Sequence, residues 1–394
     1  MSSDTASAEV VVIGGGPAGA ATAMALTRAG VSTLVVERTD GAGNPIGESL
    51  APSATPLLHH LGLFGTFLAT KPLPCSANRS SWGADGAMTE HHFLNEPYGH
   101  GWHLDRPAFN RALLAAAAQA GAVCWLRTSY VRAERTAAGR WLILTHGPSG
   151  SHEITANLVI DASGRHAVFA RQQGARGIYF DRLTAIVTML SPTGEMMLDS
   201  TTLIEATSDG WWYSALLPAG RVAVAFFSDP DILAAKRAWL ASGWATLLED
   251  GEYTRHRVST HGYTLNAPLR FTPAGDVLLQ PLSGERWVAV GDAATAHDPL
   301  SSHGIGSAIA AGQRAATAAV AYLRGNRDAL REYSERTWRA YGHYLWLRQA
   351  YYAEVCRWPS APFWQRRQTN TPLTVQHSTA VTSPSLTFGK LHLG

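Results

Sequence analysis

Residues 9–37 read EVVVIGGGPAGAATAMALTRAGVSTLVVE, and this stretch decides the fold. The continuous β-branched run Val10–Ile13 predicts a buried parallel strand, and Thr33–Val36 predicts a second one. A glycine-rich turn and a helix of small residues lie between them, and an acid, Glu37, follows the second strand. Strand, glycine turn, helix, strand and acid, in that order, form the dinucleotide-binding fingerprint.

The glycine turn has the spacing Gly14-x-Gly16-x-x-Gly19, and each glycine has a separate task. The first permits the tight turn, the second lets the backbone approach a pyrophosphate, and the third lets the helix pack closely on the sheet. Pro17 and Ala18 stand at the helix N-terminus, where unpaired amides and the helix dipole stabilise phosphate charge.

Glu37 and the adjacent Arg38 are the expected contacts at the adenosine end of the nucleotide. A carboxylate here accepts hydrogen bonds from the ribose hydroxyls and disfavours a 2′-phosphate by charge repulsion. The motif alone does not separate NAD from FAD.

The bulk composition excludes several classes of function. The chain has 394 residues and a formal net charge of +2, without a basic block, so we expect no nucleic-acid partner. Cys75, Cys124 and Cys356 form no CxxC pair, which favours a reduced, cytoplasmic setting. We see no secretory signal and no membrane span. The 16 histidines show no metal-binding spacing, so we expect no metal site.

A second motif lies in residues 285–323. Trp287–Val290 predicts a short buried strand, Gly291-Asp292 ends it, and a helix of small residues runs from Gly306. This segment resembles the flavin ribityl-binding segment of glutathione-reductase-type flavoproteins. The resemblance implies that Asp292 binds a ribityl hydroxyl and that the helix N-terminus faces the flavin pyrimidine edge, where reduced flavin is negative. The alternative is a plain βα crossover with an aspartate that caps the turn.

Two further segments also favour FAD. The stretch IDASGRHAVFAR, residues 160–171, resembles the D-A-[ST]-G-R segment of the same flavoproteins, which implies that Asp161 and Gly164 lie near the cofactor. The stretch WHLDRPAFNRALL resembles their R-x-x-[FL] helix, which implies the same for Arg106. A surface arginine is the alternative for Arg106.

The chain has one GxGxxG and lacks a second nucleotide motif and a redox CxxC, so it resembles the p-hydroxybenzoate-hydroxylase-like fold. We expect an α/β fold (α+β overall): a Rossmann-like FAD-binding domain of the glutathione-reductase type, an inserted antiparallel-sheet substrate domain and C-terminal helices. The aromatic stripe of the C-terminal helix favours core packing over a lid. The expected parts are residues 1–70, 104–180 and 276–325 for FAD, 71–103 and 181–275 for substrate, 326–365 for the helical segment, and 366–394 for an extended or flexible tail.

Three segments narrow the family. NPIGESLAPSATPLLHHLGL, DGWWYSALLP and GDAATAHDPLSSHGI together resemble the flavin-dependent halogenase branch. They are still more similar to its sister monooxygenases, the maturases that hydroxylate a partner protein's tryptophan during tryptophylquinone biogenesis, for amine dehydrogenases and lysine or glycine oxidases. The resemblance covers about residues 8–365. The cofactor contacts it implies in these segments are Glu48, Ser49, Pro299, Gly304 and Ile305.

Three departures from the halogenase pattern argue against halogenation. The stretch CSANRSSWG, where many relatives carry the lysine that holds hypohalous acid, has no lysine, and the nearest is Lys71. His303 stands where halogenases have the Thr or Ser that helps to bind chloride. The W-x-W-x-I-P signature is lengthened and altered here, to Trp211-Trp212-Tyr213…Leu217-Pro218.

The resemblance therefore implies hydroxylation of an electron-rich aromatic ring through a flavin C4a-hydroperoxide, with O2 as co-substrate. NADH, NADPH or a separate flavin reductase would reduce the FAD. We expect the ring to be a tryptophan in a peptide or protein, and the enzyme to be a monomer. The alternatives are a hydroxylase or halogenase of a small or carrier-bound aromatic metabolite, and a flavoprotein-derived binding module.

The candidate catalytic residues are Glu48 and His303, which would give general acid–base help. Glu48 could instead anchor the flavin loop, and His303 could serve packing. The candidate substrate pocket consists of Asn78, Trp82, His92 and Trp212, whose aromatic members could equally belong to the core.

Overall fold

The computed structural model describes residues 6–41, 47–192, 199–260, 262–265, 267–302 and 304–368. Its contacts divide the chain into two compact units. Unit 1 consists of Met1–Pro72, Leu104–Arg182 and Ala274–Tyr341, and unit 2 consists of Leu73–His103, Leu183–Pro273 and Gly342–Gly394. The first four passages of the chain from one unit to the other thus follow residues 72, 103, 182 and 273. The sequence predicted these passages after residues 70, 103, 180 and 275. The predicted separate helical segment is instead divided between the units.

The strands are given in chain order. They are β1 (Ala6–Ile13), β2 (Thr33–Val36), β3 (Ser49–Leu50), β4 (Leu73–Cys75), β5 (Ala77–Ser81), β6 (Met88–His92), β7 (Gly101–His103), β8 (Val123–Trp125), β9 (Ser129–Arg135), β10 (Trp141–Gly147), β11 (Gly150–Asp161), β12 (Arg176–Tyr179), β13 (Thr184–Pro192), β14 (Thr202–Thr207), β15 (Gly210–Leu216), β16 (Val222–Ser228), β17 (Tyr263–Thr264), β18 (Arg270–Pro273), β19 (Val277–Gln280), β20 (Ser283–Gly284), β21 (Trp287–Ala289) and β22 (Thr295–Ala296).

The helices are α1 (Pro17–Arg28), α2 (Thr55–His60), α3 (Phe64–Ala69), α4 (Arg106–Gln119), α5 (Val168–Gln172), α6 (Pro230–Ala235), α7 (Ala241–Glu249), α8 (Glu252–Thr260), α9 (Gly304–Leu323), α10 (Ala329–Ala353) and α11 (Pro362–Gln368). Among the residues that the structure describes, no helix is long and apolar enough to cross a membrane.

Unit 1 is built on a sheet in the order β20-β21-β11-β1-β2-β8, extended by β10 and β9. Strand β1 lies between β11 and β2 and is parallel to both, with Val10 opposite Leu158 on one side and Thr33 on the other. Its last four residues are fully buried, as the β-branched run predicts for a strand covered on both faces. The parallel strands end together, so their carboxyl ends place the glycine turn, Glu37 and Asp161 at one edge of the sheet.

Unit 2 is built on a second sheet in the order β17-β13-β16-β15-β14-β5-β6, with β18 also paired to β13. Strands β13 to β16 of the insert pair antiparallel, as expected, while β14 and β5 run parallel. Strands β14 and β16 are buried along their whole length, so apolar elements cover both faces of the sheet centre.

The C-terminal helices differ from the expectation in their bounds. The helical segment predicted over residues 326–365 contains α10, which ends at Ala353. A second helix, α11, reaches three residues into the predicted tail, and residues 369–394 lie outside the described part. Three aromatic residues of the predicted stripe, Tyr333, Tyr341 and Tyr352, are at most 6% exposed, which fits core packing, whereas Trp338 is 44% exposed.

Candidate functional site

In the glycine turn after β1, two glycines are closely packed and one borders open space. Gly14 has φ = 103°, and a Cβ built there would lie 2.4 Å from the carbonyl oxygen of Ala162. A Cβ on Gly19 would lie 1.9 Å from the carbonyl oxygen of Gly14. At Gly16, by contrast, a Cβ would meet no atom within 4 Å. Two glycines are therefore required by the protein's own packing, and the third leaves bare backbone that a phosphate group can approach.

Helix α1 presents an uncapped N-terminus at this turn. Gly16 is its N-cap, Pro17 begins the helix, and no side chain of the described residues caps it. Its first turn holds no acid. The free amides and the helix dipole thus point to an anion, and the turn fits the phosphates of a dinucleotide.

The carboxylate of Glu37 braces the glycine turn. Its Oε2 accepts a hydrogen bond from the Gly15 N–H at 2.7 Å, and its Oε1 accepts from the Thr39 N–H at 2.8 Å and the Thr39 hydroxyl at 2.7 Å. The side chain is half-buried, while Arg38 is exposed. Oε2 keeps one further acceptor position, so bracing the turn is compatible with the expected role at the adenosine ribose.

The second motif packs directly against the first. Gly291 has φ = 61°, and a Cβ built there would lie 2.7 Å from the Ala18 Cβ. A Cβ on Gly312 of α9 would lie 2.4 Å from the Ala18 carbonyl oxygen. The Thr22 hydroxyl donates to the carbonyl oxygens of Ala18 at 2.7 Å and Gly312 at 3.2 Å. Small residues therefore join α1 and α9 at backbone distance, and the two motifs lie side by side in unit 1.

Asp292 is an exposed residue whose carboxyl feels the charges of two arginines. Its side chain is accessible to solvent, yet desolvation raises the pKa of its carboxyl above the ordinary value. The charges of Arg165 and Arg106 act in the opposite direction and lower this pKa. An accessible carboxyl with two arginines nearby suits the binding of a polyhydroxyl chain.

Arg106 is a buried residue at the start of α4, so the alternative of a surface arginine is wrong. It is 7% exposed, and its Nη1 donates to the carbonyl oxygen of Gly47. Asp105 caps the helix by accepting from the Ala108 N–H at 2.9 Å. Arg106 thereby fixes the backbone that leads into Glu48.

Glu48 and Ser49 begin the segment that follows. Glu48 is 3% exposed, and its carbonyl oxygen accepts from the Leu104 N–H at 2.8 Å. Ser49 is half-buried at the start of β3. The geometry is compatible with both roles considered for Glu48, an acid–base group and an anchor of the loop, and its catalytic role stays a prediction.

Asp161 lies at the expected edge of the sheet, but its carboxylate accepts hydrogen bonds from its own segment. Its Oδ1 accepts from the Ser163 N–H at 3.0 Å and the Ser163 hydroxyl at 2.6 Å. Its Oδ2 accepts from the N–H groups of Phe169 at 3.0 Å and Ala170 at 2.8 Å, and the residue is fully buried. The structure thus gives Asp161 the task of holding the turn at Gly164 and helix α5, and its part in cofactor binding stays a prediction.

Arg165, in the same D-A-S-G-R segment, was missed by the sequence reasoning. It donates to the carbonyl oxygens of Ala274 at 3.2 Å and His297 at 3.0 Å, and also to that of Gly275. It also acts on the pKa of Asp292. The signal was the arginine that ends the recognised segment, and its role is to fasten the loop before α9.

The loop Asp298–Ser302 leads into α9. Asp298 caps the turn Pro299–Ser301 by accepting from the Leu300 N–H at 2.9 Å, and Ser302 has φ = 53°. His303 lies outside the described residues, so its proposed catalytic role is untested. Helix α9 begins at Gly304, which is exposed with no atom within 4 Å of a built Cβ, and Ile305 is 7% exposed. The helix N-terminus is accessible, as a flavin contact requires.

Three carboxylates converge behind this loop. Oxygen atoms of Asp181, Asp276 and Asp298 lie within 4.8 Å of one another. The Asp298 N–H donates to Asp276 Oδ1 at 2.9 Å, and the Asp276 N–H donates to Asp181 Oδ1 at 3.1 Å. These bonds connect the loop segments, and the expectation of no metal ion stays a prediction.

The predicted pocket residues all lie in unit 2, in two environments. Trp212 is fully buried, with its ring 4.7 Å from that of Phe226 and 5.7 Å from that of Trp244. Trp82 is 2% exposed, and its indole N–H donates to the Tyr351 carbonyl oxygen at 2.8 Å. Both tryptophans thus belong to the core, the alternative that the sequence left open. Asn78, on β5, is half-buried, and His92, at the end of β6, is exposed.

A buried polar cluster in unit 2 was not anticipated. His103 is fully buried, and its Nε2 lies 2.9 Å from the Thr202 hydroxyl. Burial lowers the pKa of His103 to about 4, so the ring is neutral at ordinary pH. Arg257 is 6% exposed and donates to Asp199 Oδ2 at 2.7 Å and to the Ser214 carbonyl oxygen at 3.1 Å. The sequence signal was weak, because neither residue lies in a motif of known chemistry.

Comparison with known proteins identifies relatives of this chain. A family model described as FAD binding domain matches residues 7–227. LodB of Marinomonas mediterranea, described as an FAD-dependent oxidoreductase, is 30% identical over 362 residues, 91% of this chain and 96% of LodB. The 1H-pyrrole-2-carbonyl-(peptidyl-carrier protein) chlorinase of Pseudomonas fluorescens is 31% identical over 187 residues, 43% of this chain and 42% of the relative. The solved structure of QhpG, a peptidyl tryptophan dihydroxylase essential for tryptophylquinone cofactor biogenesis, has a TM-score of 0.72 and 25% identity, covering 95% of this chain and 82% of QhpG.

Proposed function

Because the chain belongs to the FAD-binding-domain family of oxidoreductases, in the halogenase-like branch of the FAD-dependent monooxygenases, we propose that it hydroxylates a tryptophan side chain held in a peptide or a partner protein. The likeness to QhpG over 95% of this chain supports this substrate class.

The positions of the lysines carry the choice of hydroxylation over halogenation. Strand β5, where the halogenase pattern leads one to expect the catalytic lysine, reads Ala77–Ser81 without one. The chain has three lysines. Lys71 is exposed with φ = 53°, Lys236 forms an ion pair with Asp209 at 2.7 Å, and Lys390 lies outside the described residues. None of the described lysines is on the strand that would present it to a halogenating agent.

The residues that these two motifs bring together in unit 1 fit FAD. The open backbone at Gly16 and the uncapped α1 would hold the pyrophosphate, Glu37 the ribose, Asp292 the ribityl chain, and the N-terminus of α9 the flavin ring edge. Reduced FAD supplies the activation of O2 and the transfer of one oxygen atom to the ring.

The chain's own residues supply positioning and proton transfer. Arg106 holds the Gly47 carbonyl and so orients the segment that carries Glu48. In this proposal the Glu48 carboxylate, buried from bulk water, accepts the proton that leaves the hydroxylated ring. His303 is proposed to relay a proton and to exclude chloride. We also propose that the three free thiols reflect a reduced, cytoplasmic setting.

A second candidate function is halogenation of a carrier-bound aromatic ring. It is favoured by the 31% identity to the chlorinase that acts on a pyrrole attached to a carrier protein. Both candidate functions act on a ring that is attached to a polypeptide. The product, hydroxylated or halogenated, therefore distinguishes them.

The test is a product assay. The FAD-loaded enzyme, a flavin reductase, NADH and O2 are incubated with a tryptophan-containing peptide in the presence of bromide, and the products are analysed by mass spectrometry. We expect peptide that has gained oxygen and no bromine. Brominated peptide, recognised by its isotope doublet, would instead establish the second candidate.

A further inference from the structure

We propose that β6, the last strand of the unit 2 sheet, docks an extended basic segment of the polypeptide substrate as an additional strand. The inference rests on the proposed function and adds to it the means by which the polypeptide is held. Proteins that recognise peptides by strand addition take affinity from main-chain hydrogen bonds and specificity from adjacent side chains.

Strand β6 offers an open edge. Within the described residues it pairs with β5 alone. The Phe93 N–H donates to the Ser76 carbonyl oxygen at 2.9 Å, which fixes the phase of the antiparallel ladder. Since opposed pairs alternate between bonded and non-bonded positions, every second residue from Phe93 faces β5. The residues that turn their N–H and C=O groups away from the sheet are His92, Glu90 and Met88.

Solvent reaches this edge. Glu90 and His92 are exposed and Met88 is partly exposed, whereas strands in the middle of the same sheet are buried throughout. A three-residue row of outward-facing backbone groups is enough for several hydrogen bonds to an incoming strand.

The hairpin that presents the edge is held rigid from behind. The Ser81 hydroxyl donates to the Gly86 carbonyl oxygen at 2.7 Å across the β5–β6 turn. Arg357 Nη2 donates to the carbonyl oxygens of Ser81 and Trp82, each at 3.2 Å. The Trp82 indole donates to Tyr351 at 2.8 Å. An edge fixed in this way loses little conformational entropy when a strand binds.

The charge of the edge selects the partner. Residues 83–100 contain three carboxylates, Asp85, Glu90 and Glu96, and no Lys or Arg, in a chain whose overall charge is +2. Neighbours only partly compensate. Arg357 attracts Asp85, and Arg79 lies 3.8 Å from Glu90. His92 and His91 lie 2.9 Å and 3.5 Å from Glu90 and Glu96. The edge is therefore locally acidic, and it favours a segment that carries Lys or Arg.

Two apolar side chains directly follow the strand. Leu94 is 87% exposed and Tyr98 is 43% exposed. A leucine so exposed beside an open strand edge is a suitable anchor for an apolar side chain of the docked segment. Main-chain bonding along β6, acidic side chains and this apolar pair together define the partner as an extended, basic segment with an apolar residue.

The test uses a substitution that removes only one backbone N–H group, which faces away from β5. Glu90→Pro deletes the N–H that does not bond to β5, and proline fits an edge strand at such a position. Glu90→Ala is the matched control, because it removes the same charge and keeps the N–H. The probe is a synthetic peptide of alternating Val and Thr with a central Trp and flanking Lys, and a second peptide has Glu in place of Lys.

We expect Glu90→Pro to bind the Lys peptide at least about tenfold more weakly than Glu90→Ala, and the Glu peptide to bind the wild type more weakly than the Lys peptide. Hydrogen exchange of the wild-type segment 88–92 should slow when the Lys peptide binds, a readout that does not depend on how well the variants fold. Equal binding by the two variants, or unchanged exchange at this segment, overturns the proposal.

Different experimental results would contradict the docking site and the proposed reaction. Hydroxylation of the peptide without slower exchange at β6 overturns the docking site and leaves the proposed function standing. Slower exchange without any oxidised peptide supports the docking site and counts against the proposed function.

Discussion

Among the three glycines of the turn, two are required for packing, and we propose that the third is required only for the ligand. A Cβ on Gly14 or Gly19 would overlap the carbonyl oxygens of Ala162 and Gly14, at 2.4 and 1.9 Å. Gly16 has φ = −67°, a value open to any residue, and a built Cβ meets nothing within 4 Å. This difference makes binding and stability separable by mutation.

We expect Gly16→Ala to leave apoprotein stability nearly unchanged and to weaken FAD binding at least about tenfold, because the methyl group occupies the space through which the phosphate approaches. Gly19→Ala should lower both, with a loss of about 1–3 kcal/mol in the free energy of unfolding. Flavin fluorescence titration and urea unfolding measure the two quantities. Equal FAD affinity of Gly16→Ala and wild type would show that the pyrophosphate lies elsewhere.

The buried His103 makes stability depend on pH. Its pKa is lowered to about 4 in the folded protein, from 6.5, chiefly by burial, with Arg257 lowering it further and Asp199 raising it. Between these values the unfolded chain binds a proton that the folded protein does not. The free energy of unfolding therefore falls as pH drops from 6.5 to about 4, by about 3 kcal/mol from this residue.

His103→Gln should lack this part of the pH dependence. Urea unfolding at several pH values from about 7 down to about 4.5 measures it, and the wild type should lose more stability than the variant over that interval. Parallel curves for the two proteins would mean that His103 is protonated in the folded state or titrates normally.

Individual site residues were predictable only where a backbone motif fixes their position. Gly14 and Gly19 have the packing roles that their spacing predicts, because the turn geometry admits few alternatives. The ligand contacts of Gly16 and Glu37 stay predictions. Asp161 and Arg165 lie in one recognised segment, yet the arginine forms the long-range contacts and the aspartate the local ones. That division depends on which loop lies opposite, and spacing along the chain does not contain this information.

On the scale of elements, β2 has the predicted bounds and β1 begins four residues earlier than predicted, at Ala6. Helix α9 begins at Gly304, two residues before the predicted start, since the turn that Asp298 caps feeds directly into it. Helix α11 was not predicted, because its short sequence lacks a clear apolar period. Its placement depends on a tertiary ion pair.

That ion pair gives a prediction for α11. Arg367 donates to Asp229 at 2.7 Å, and the two side chains are 1% and 6% exposed. Arg366 also contacts Asp229, at 2.8 Å, but its side chain is 45% exposed. Arg367→Ala should cost about 3–5 kcal/mol, since it leaves a buried carboxylate poorly compensated, and Arg366→Ala should cost less than about 1 kcal/mol. Chemical unfolding of the variants checks this, and similar losses for both would contradict it.

At the level of the whole molecule, the sequence predicted a discontinuous chain path because its motifs for one cofactor lie far apart along the chain. The glycine turn at residue 14 and the Gly291-Asp292 turn meet because Ala18 and Gly312 are small enough for α1 and α9 to touch. The substrate side was less predictable. By residue type alone, Trp82 and Trp212 could belong to the core or to a substrate pocket. Only their burial in the structure assigned them to the core.

We propose that this enzyme transfers oxygen from O2 to a tryptophan in a polypeptide, and isotope labelling tests this reaction most directly. The reduced, FAD-loaded protein is mixed with the tryptophan peptide under isotopically heavy O2 with bromide present, and the peptide is sequenced by mass spectrometry. We expect heavy oxygen on the tryptophan ring and no bromine. A brominated ring, or an unmodified peptide with all O2 released as hydrogen peroxide, would contradict it.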